Sequence, residues 1–296
     1  MDQVGFIGVG AMGRAIAERL VRRGVKVLAH DVNPDALGNF VTCGGLAAVS
    51  NKQVADECEI VFACLPYAEV CKQVALGPGG VADGRRAKVY VETSTVGTAV
   101  ARELAEGLNA KGITLIDSPV VGAQTALTAG TLGVLAAGPA AQFERVKPIL
   151  ELFAGRLFYL GAECGIGQTA KVMSNSVTWA SALATCEALT VGMKAGIDLE
   201  TAVAIINQGS GANFFSQRVV PHTILQGKLD GTGALEITIK DVLLFLEEAA
   251  RLRAATPVAA AISTIQHEIL KSGPEGRDML TAINYFTDLA RLPRLA

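Results

Sequence analysis

Gly8, Gly10 and Gly13 narrow the architecture of this chain before any other residues do. An apolar run, Val4-Gly5-Phe6-Ile7-Gly8, passes directly into Gly8-Val9-Gly10-Ala11-Met12-Gly13, and a helical stretch from Met12 to Arg23 follows. Glycines at this spacing between a strand and a helix form a cradle for phosphate. The first permits the tight turn, the second lets a pyrophosphate approach the backbone, and the third lets helix and strand pack closely. The unpaired N–H groups at the helix start favour negative charge. A second apolar run, Lys26–His30, ends beside Asp31, 18 residues after Gly13. An acid at about that distance hydrogen-bonds a ribose hydroxyl. Gly8, Gly10, Ala11, Met12, Gly13 and Asp31 are therefore the expected dinucleotide contacts.

Asp31 also discriminates between dinucleotides. A carboxylate repels a 2′-phosphate, and the phosphorylated form calls for a nearby Arg. No Arg or Lys occurs between Asp31 and Lys52. The cofactor expected is NAD rather than NADP.

Further strands are predicted at Ile60–Cys64, Lys88–Glu92 and Ile113–Asp117, with helical stretches between them. Asn33 is placed to cap a helix whose first turn holds Pro34. Apolar strands alternating with helices make a parallel sheet covered on both faces. Beyond Cys164 the pattern is helical only: Gly167–Gly196, Leu199–Gln208, Thr238–Arg253 and Val258–Leu270. The fold class expected is an α/β Rossmann-type N-terminal domain over 1–163, then an all-α C-terminal domain over 164–296. The glycine-rich patch Gly161–Gly167 marks the boundary, and a long interdomain helix opens the second domain. A length of 296 residues suits two domains.

Composition excludes several other classes. With 50% hydrophobic and 18% charged residues, the chain has the material for a packed core and is not disordered. Its 26 basic and 28 acidic residues leave no excess of positive charge for a nucleic acid. The longest uncharged run, Ser118–Phe143, contains Pro119, Pro139 and four glycines, so it reads as strands and turns rather than a membrane span. The six cysteines form no CxxC pair and read as buried thiols of a reducing compartment. With no leader pattern ahead of the first strand, a cytoplasmic protein is expected. His30, His222 and His267 are scattered without metal-ligand spacing, so no metal is expected. Ser94, Ser118 and Ser174 lack a His–Asp relay. Glu247-Glu248 with Arg251 and Arg253 reads as a solvated helix face.

From its opening segment Gly5–Gly13 onward, the chain resembles the β-hydroxyacid dehydrogenases, the group of 3-hydroxyisobutyrate and tartronate semialdehyde enzymes. Leu65-Pro66 resembles that family's cofactor-contact turn. Glu92-Thr93-Ser94-Thr95 is similar to its acid-x-Ser-Thr segment, which implies a cofactor contact for Thr95. Asp117-Ser118-Pro119-Val120-Val121-Gly122-Ala123 resembles its substrate loop, implying that Val121, Gly122 and Ala123 meet substrate. Gly165-Ile166-Gly167 followed by Lys171 and Asn175 is similar to its catalytic helix. Lys240-Asp241 resembles a late pair that closes over nicotinamide and substrate, and the resemblance implies that the segment holding Phe215 lies over the substrate.

The resemblance implies an NAD-dependent oxidoreductase that interconverts a small β-hydroxy acid and its semialdehyde by hydride transfer. Lys171 is the implied general acid–base and Asn175 its catalytic neighbour, while family habit implies a homodimer or homotetramer. On residues alone, Lys171 shares a helix face with Asn175 at i,i+4. A snorkelling surface lysine is the competing reading, and the matched pattern favours catalysis. Three positions depart from the family: Val121 for Ser, Ala123 for Gly and Ser174 for Asn. Val121 cannot donate to a carboxylate, which points to a bulkier or less polar substrate facing Phe214 and Phe215. It also keeps open a related reductase acting on an imine or other non-acid carbonyl. A non-catalytic NAD-binding module is the other alternative, opposed by Lys171, Asn175 and Lys240.

Overall fold

The structure is a computed structural model that describes residues 3–274 and 277–295. The chain divides into two compact units after Lys171. The first unit begins β1 (Val4–Ile7), α1 (Ala11–Arg22), β2 (Val27–His30), α2 (Pro34–Thr42), β3 (Leu46–Ala47), α3 (Asn51–Glu57) and β4 (Ile60–Ala63). It continues through α4 (Ala68–Leu76), β5 (Val89–Glu92), α5 (Thr98–Asn109) and β6 (Thr114–Asp117). These strands form one sheet in the order β3-β2-β1-β4-β5-β6, parallel throughout. That is the doubly wound sheet expected from the sequence.

The strands at its centre are apolar at every position because both faces are covered. Phe6 and Phe62 stack at 5.9 Å on one face, within a cluster that includes Ile16, Leu20 and Val91. Ile7, Val61, Tyr90 and Leu104 belong to the cluster on the other. Asn33 caps α2 as expected, its Oδ1 accepting from the N–H of Asp35 at 2.9 Å and of Ala36 at 3.3 Å. Strand order reverses between β1 and β4, and in sheets of this kind ligands bind beyond the carboxyl ends of the strands at such a switch point.

A second, three-stranded sheet was not foreseen in this form. It comprises β7 (Val120–Val121), β8 (Gly133–Ala136) and β9 (Arg156–Tyr159), with α6 (Gln124–Thr128) and α7 (Ala140–Leu150) in the connections. β7 spans only two residues and β9 is largely exposed, so neither carries a clear apolar period.

α8 (Ile166–Lys194) runs unbroken across the division, which falls eight residues after the sequence-based boundary of 163/164. Its opening turn, up to Lys171, packs with the sheet unit. The second unit continues with α9 (Leu199–Gln208), α10 (Leu235–Leu252), α11 (Pro257–Lys271) and α12 (Ala282–Leu289). Its core gathers Leu183, Cys186, Leu189, Ile239, Ile283 and Phe286. No strand occurs there among the described residues.

Two local expectations are corrected. Cys43 is exposed, its thiol 3.3 Å from Glu18, whereas Cys58, Cys71 and Cys186 are buried. Glu248 is buried rather than solvated, and both its carboxylate oxygens accept from Arg251, at 2.7 and 2.8 Å. Folding α10 against α11 covers one side of a helix whose charges looked solvent-facing in sequence. Among the described residues no helix is long and apolar enough to cross a membrane.

Candidate active site

The glycine loop has the geometry its spacing requires. Gly8 adopts φ +87°, and a Cβ there would lie 2.4 Å from the Cys64 carbonyl oxygen. A Cβ on Gly13 would lie 2.0 Å from the Gly8 carbonyl oxygen, so this position seals the helix against the loop. Above Gly10 nothing stands within 4 Å. The open space at the start of α1 is where an anionic group can approach the backbone, and the loop fits a dinucleotide.

Asp31 is tied into the same loop. Its Oδ2 accepts from the Val9 N–H at 2.7 Å and its Oδ1 from the Asn33 N–H at 2.8 Å. A carboxylate has about four acceptor sites, so capacity for ribose hydroxyls remains. The adjacent His30 is occupied by the sheet edge, Nδ1 lying 3.1 Å from the Ala48 carbonyl oxygen. Met12 is partly buried against the core, while Ala11 is exposed and its carbonyl accepts from the Gln124 side chain at the start of α6. That bond joins the glycine loop to the segment following Ala123.

Behind these loops lies a buried polar network. Glu92 and Asp117 end adjacent strands and are register partners. Glu92 accepts from the Ser94 N–H at 2.9 Å and the Tyr90 hydroxyl at 3.3 Å, and the Ser94 hydroxyl accepts from the Leu65 N–H at 2.8 Å. Leu65, Pro66 and Thr95 are thus carried on turns braced by one serine, Pro66 exposed and the other two partly buried. Burial pushes the Glu92 pKa up to about 7, against the pull of its hydrogen bonds. Burial likewise pushes Asp117 up to about 6, opposed by N–H donors from Gln168, Gly165 and Gly167.

Gln168 is the residue that sequence reasoning missed. Its Nε2 donates to Asp117 Oδ1 at 2.7 Å and to the Ser94 carbonyl at 3.1 Å. Its Oε1 accepts from the N–H groups of Val96 at 2.8 Å and Gly97 at 3.1 Å. Its only sequence signal is an uncharged amide directly after the Gly165-x-Gly167 pair.

In the substrate-type loop, Gly122 has φ +112° and Ala123 is exposed. Val121 is partly buried opposite Gly133, where a Cβ would lie 2.4 Å from Val121 Cγ2. The isopropyl group therefore already has an apolar seat on its own sheet, which weakens the case for a bulkier ligand.

In the helical unit, Asn175 on α8 donates through Nδ2 to Asp241 Oδ2 at 2.7 Å, and Lys240 Nζ lies 3.4 Å from Asp241 Oδ1. The structure thus brings Asn175, Lys240 and Asp241 together. Lys171, partly buried, lies one turn before Asn175 on the same helix. Of the two phenylalanines expected to face the substrate, Phe215 is packed into the helical core and only Phe214 is exposed. Successive side chains of a helical turn point in different directions, and the core took Phe215. Among the described residues no group of His, Cys, Asp or Glu is arranged to hold a metal.

Residues 3–161 match the family model of the NAD binding domain of 6-phosphogluconate dehydrogenase. Residues 165–286 match the model described as NAD-binding of NADP-dependent 3-hydroxyisobutyrate dehydrogenase. The chain is a β-hydroxyacid dehydrogenase by family. This member of the β-hydroxyacid dehydrogenases is 32% identical to the 3-hydroxyisobutyrate dehydrogenase of Pseudomonas aeruginosa, over 88% of this chain and 89% of that one. It is 28% identical to the L-threonate dehydrogenase of Cupriavidus necator, over 96% and 95% of the two chains. It superposes on the crystal structure of a 3-hydroxyisobutyrate dehydrogenase from Salmonella typhimurium with a TM-score of 0.88 at 26% identity, covering 96% of this chain and all of that one. The β-hydroxyacid dehydrogenase described here is an oxidoreductase that binds a nicotinamide dinucleotide.

Proposed function

We propose that this enzyme interconverts a small β-hydroxy acid and its semialdehyde with NAD, using Lys171 as general acid–base. The observation that carries the reading is the anchoring of Lys171. The first turn of its helix hydrogen-bonds to Asp117 at the carboxyl end of β6, the edge of the sheet on which the glycine loop also lies. Bound NAD supplies the hydride acceptor. Lys171 takes the substrate hydroxyl proton in oxidation and returns it in reduction, a role that requires the neutral amine on one side of each cycle. Asn175, oriented by Asp241, offers its amide to the reacting oxygen, and Lys240 beside Asp241 adds a positive charge. With Val121 in place of a hydroxyl donor, the backbone N–H groups of Gly122 and Ala123 hold the substrate carboxylate. The names of the relatives, which act on 3-hydroxyisobutyrate and L-threonate, support a hydroxy acid of this size.

The preference for NAD rests on Asp31, whose charge repels a 2′-phosphate and whose flanking residues Val32 and Asn33 offer no cation. A turnover panel of 3-hydroxy acids, amino alcohols and semialdehydes, run with both cofactors, tests the whole reading. The expected result is turnover of 3-hydroxy acids, at least tenfold more efficient with NAD, equivalent to about 1.4 kcal/mol. Activity confined to imines or amino alcohols would refute the substrate class, and equal use of NADP would refute the role given to Asp31.

A further inference from the structure

The first turn of α8 is capped from outside the helix. Helix starts leave N–H groups without partners, which a side chain of the helix's own N-cap residue ordinarily satisfies. Here Asp117, 48 and 51 residues away in sequence, accepts from the N–H groups of Gly165 at 3.0 Å and Gln168 at 3.1 Å. The two glycines of this motif make the arrangement possible. Gly165 has φ +100°, and a Cβ on Gly167 would sit 2.8 Å from Asp117 Oδ2. The carboxylate therefore occupies the space of the missing side chain.

Gln168 completes the clamp. Both donor positions of its amide and both acceptor positions of its oxygen are used, and the residue is fully buried. No other side chain supplies two donors and two acceptors at that length. Its partners are the loop after β5, which holds Ser94, Thr95 and Val96, and the end of β6. Through the Ser94 hydroxyl the same loop also holds Leu65. One amide thus connects the turn that leads to Lys171, three residues on, with the turns that carry three of the expected cofactor contacts, Leu65, Pro66 and Thr95.

We propose that Gln168, acting with Asp117, is a positioning residue for the reaction, holding the register of the Lys171 turn against the loops that carry the cofactor. The inference rests on the acid–base reading of Lys171. Its physical basis is that a displacement of about 1 Å between reacting groups costs on the order of a hundredfold in rate. Gln168 touches neither reactant in this role; it fixes where Lys171 begins.

The test uses Gln168→Met, which keeps the length and removes all four hydrogen bonds, and Asp117→Asn, which preserves the shape of the cap while changing its acceptors. Turnover is measured per NAD-binding site with 3-hydroxyisobutyrate or L-threonate, whichever the wild type turns over faster, so that an unfolded fraction does not count. Gln168→Met is expected to lower kcat by about 10- to 100-fold with NAD affinity within threefold of wild type. Asp117→Asn should lower it in the same direction, and it decides the matter if Gln168→Met fails to fold. A fall of less than fivefold per site, or a loss of NAD affinity matching the loss of kcat, would overturn the positioning role. Lys171→Ala runs alongside. An inactive Lys171→Ala beside a near-normal Gln168→Met refutes only the positioning role, whereas a fully active Lys171→Ala refutes the acid–base reading beneath it.

Discussion

Glu92 offers a direct test of the buried network, because its carboxyl titrates where it can be measured. Burial holds its pKa at about 7, above the ordinary 4.5. A carboxyl raised in the folded state stabilises the fold most when both states are protonated, below pH 4.5. That contribution is lost as pH rises through 7, because the unfolded chain gives up its proton first. Over the full interval the loss is 2.303RT times the difference between 7 and 4.5, or about 3 kcal/mol, most of which falls between pH 5 and pH 8. Glu92→Gln mimics the protonated form, since its amide oxygen can still accept from the Ser94 N–H and its NH2 can meet the Tyr90 hydroxyl. Urea unfolding of wild type and variant, followed by circular dichroism at pH 5, 6, 7 and 8, reports this carboxyl, because titrations not coupled to Glu92 cancel in the difference. The stability of wild type relative to Glu92→Gln should fall by about 2–3 kcal/mol across that range. A difference that stays constant, or changes in the opposite direction, would show that Glu92 ionises normally and would refute the argument.

Other outcomes follow from the same geometry. Lys171→Ala should lower turnover by about 10²–10⁴ while NAD binding, followed by fluorescence titration, stays nearly intact; more than a tenth of wild-type turnover remaining would exclude the acid–base role. Gly10→Ala meets open space and should leave the melting temperature unchanged while weakening NAD binding at least about tenfold, whereas Gly13→Ala, with its Cβ 2.0 Å from a backbone oxygen, should lower the melting temperature itself. Reversal of that pair would remove the cradle from the cofactor site. The helical unit exposes Val177 and Val191 on α8 and Val258 on α11, and we expect it to form a subunit interface. A monomer in sedimentation at micromolar protein would defeat this.

Much of the first unit was legible because its signals are local. The Gly8–Gly13 spacing, the Asn33 cap and the apolar strand runs each concern residues that are neighbours in sequence, and each reappears in the structure at nearly the same positions. Four helices of the second half were legible for the same reason, and α9 begins and ends where its apolar period does, whereas the short α12 was not found. α8 was also found within a few residues, yet the point where its packing changes from one unit to the other lies inside it, and no local pattern marks that point. The second sheet was missed because two-residue and exposed strands carry too few side chains to show a period.

Local pattern alone places a phosphate cradle on a doubly wound sheet, sets Asp31 beside it, and puts Lys171 and Asn175 one helical turn apart. Periodicity and glycine spacing dictate such features wherever the rest of the chain goes. Long-range packing is what makes Asp117 cap α8, uses all four hydrogen-bonding positions of Gln168 on that joint, brings Asn175 to Asp241 across 66 residues, and puts Phe215 rather than Phe214 in the core. The reason is one of partners. A buried polar group must be matched by another, and which group is within 3 Å depends on which strands and helices become neighbours, a property that no single stretch of the chain contains.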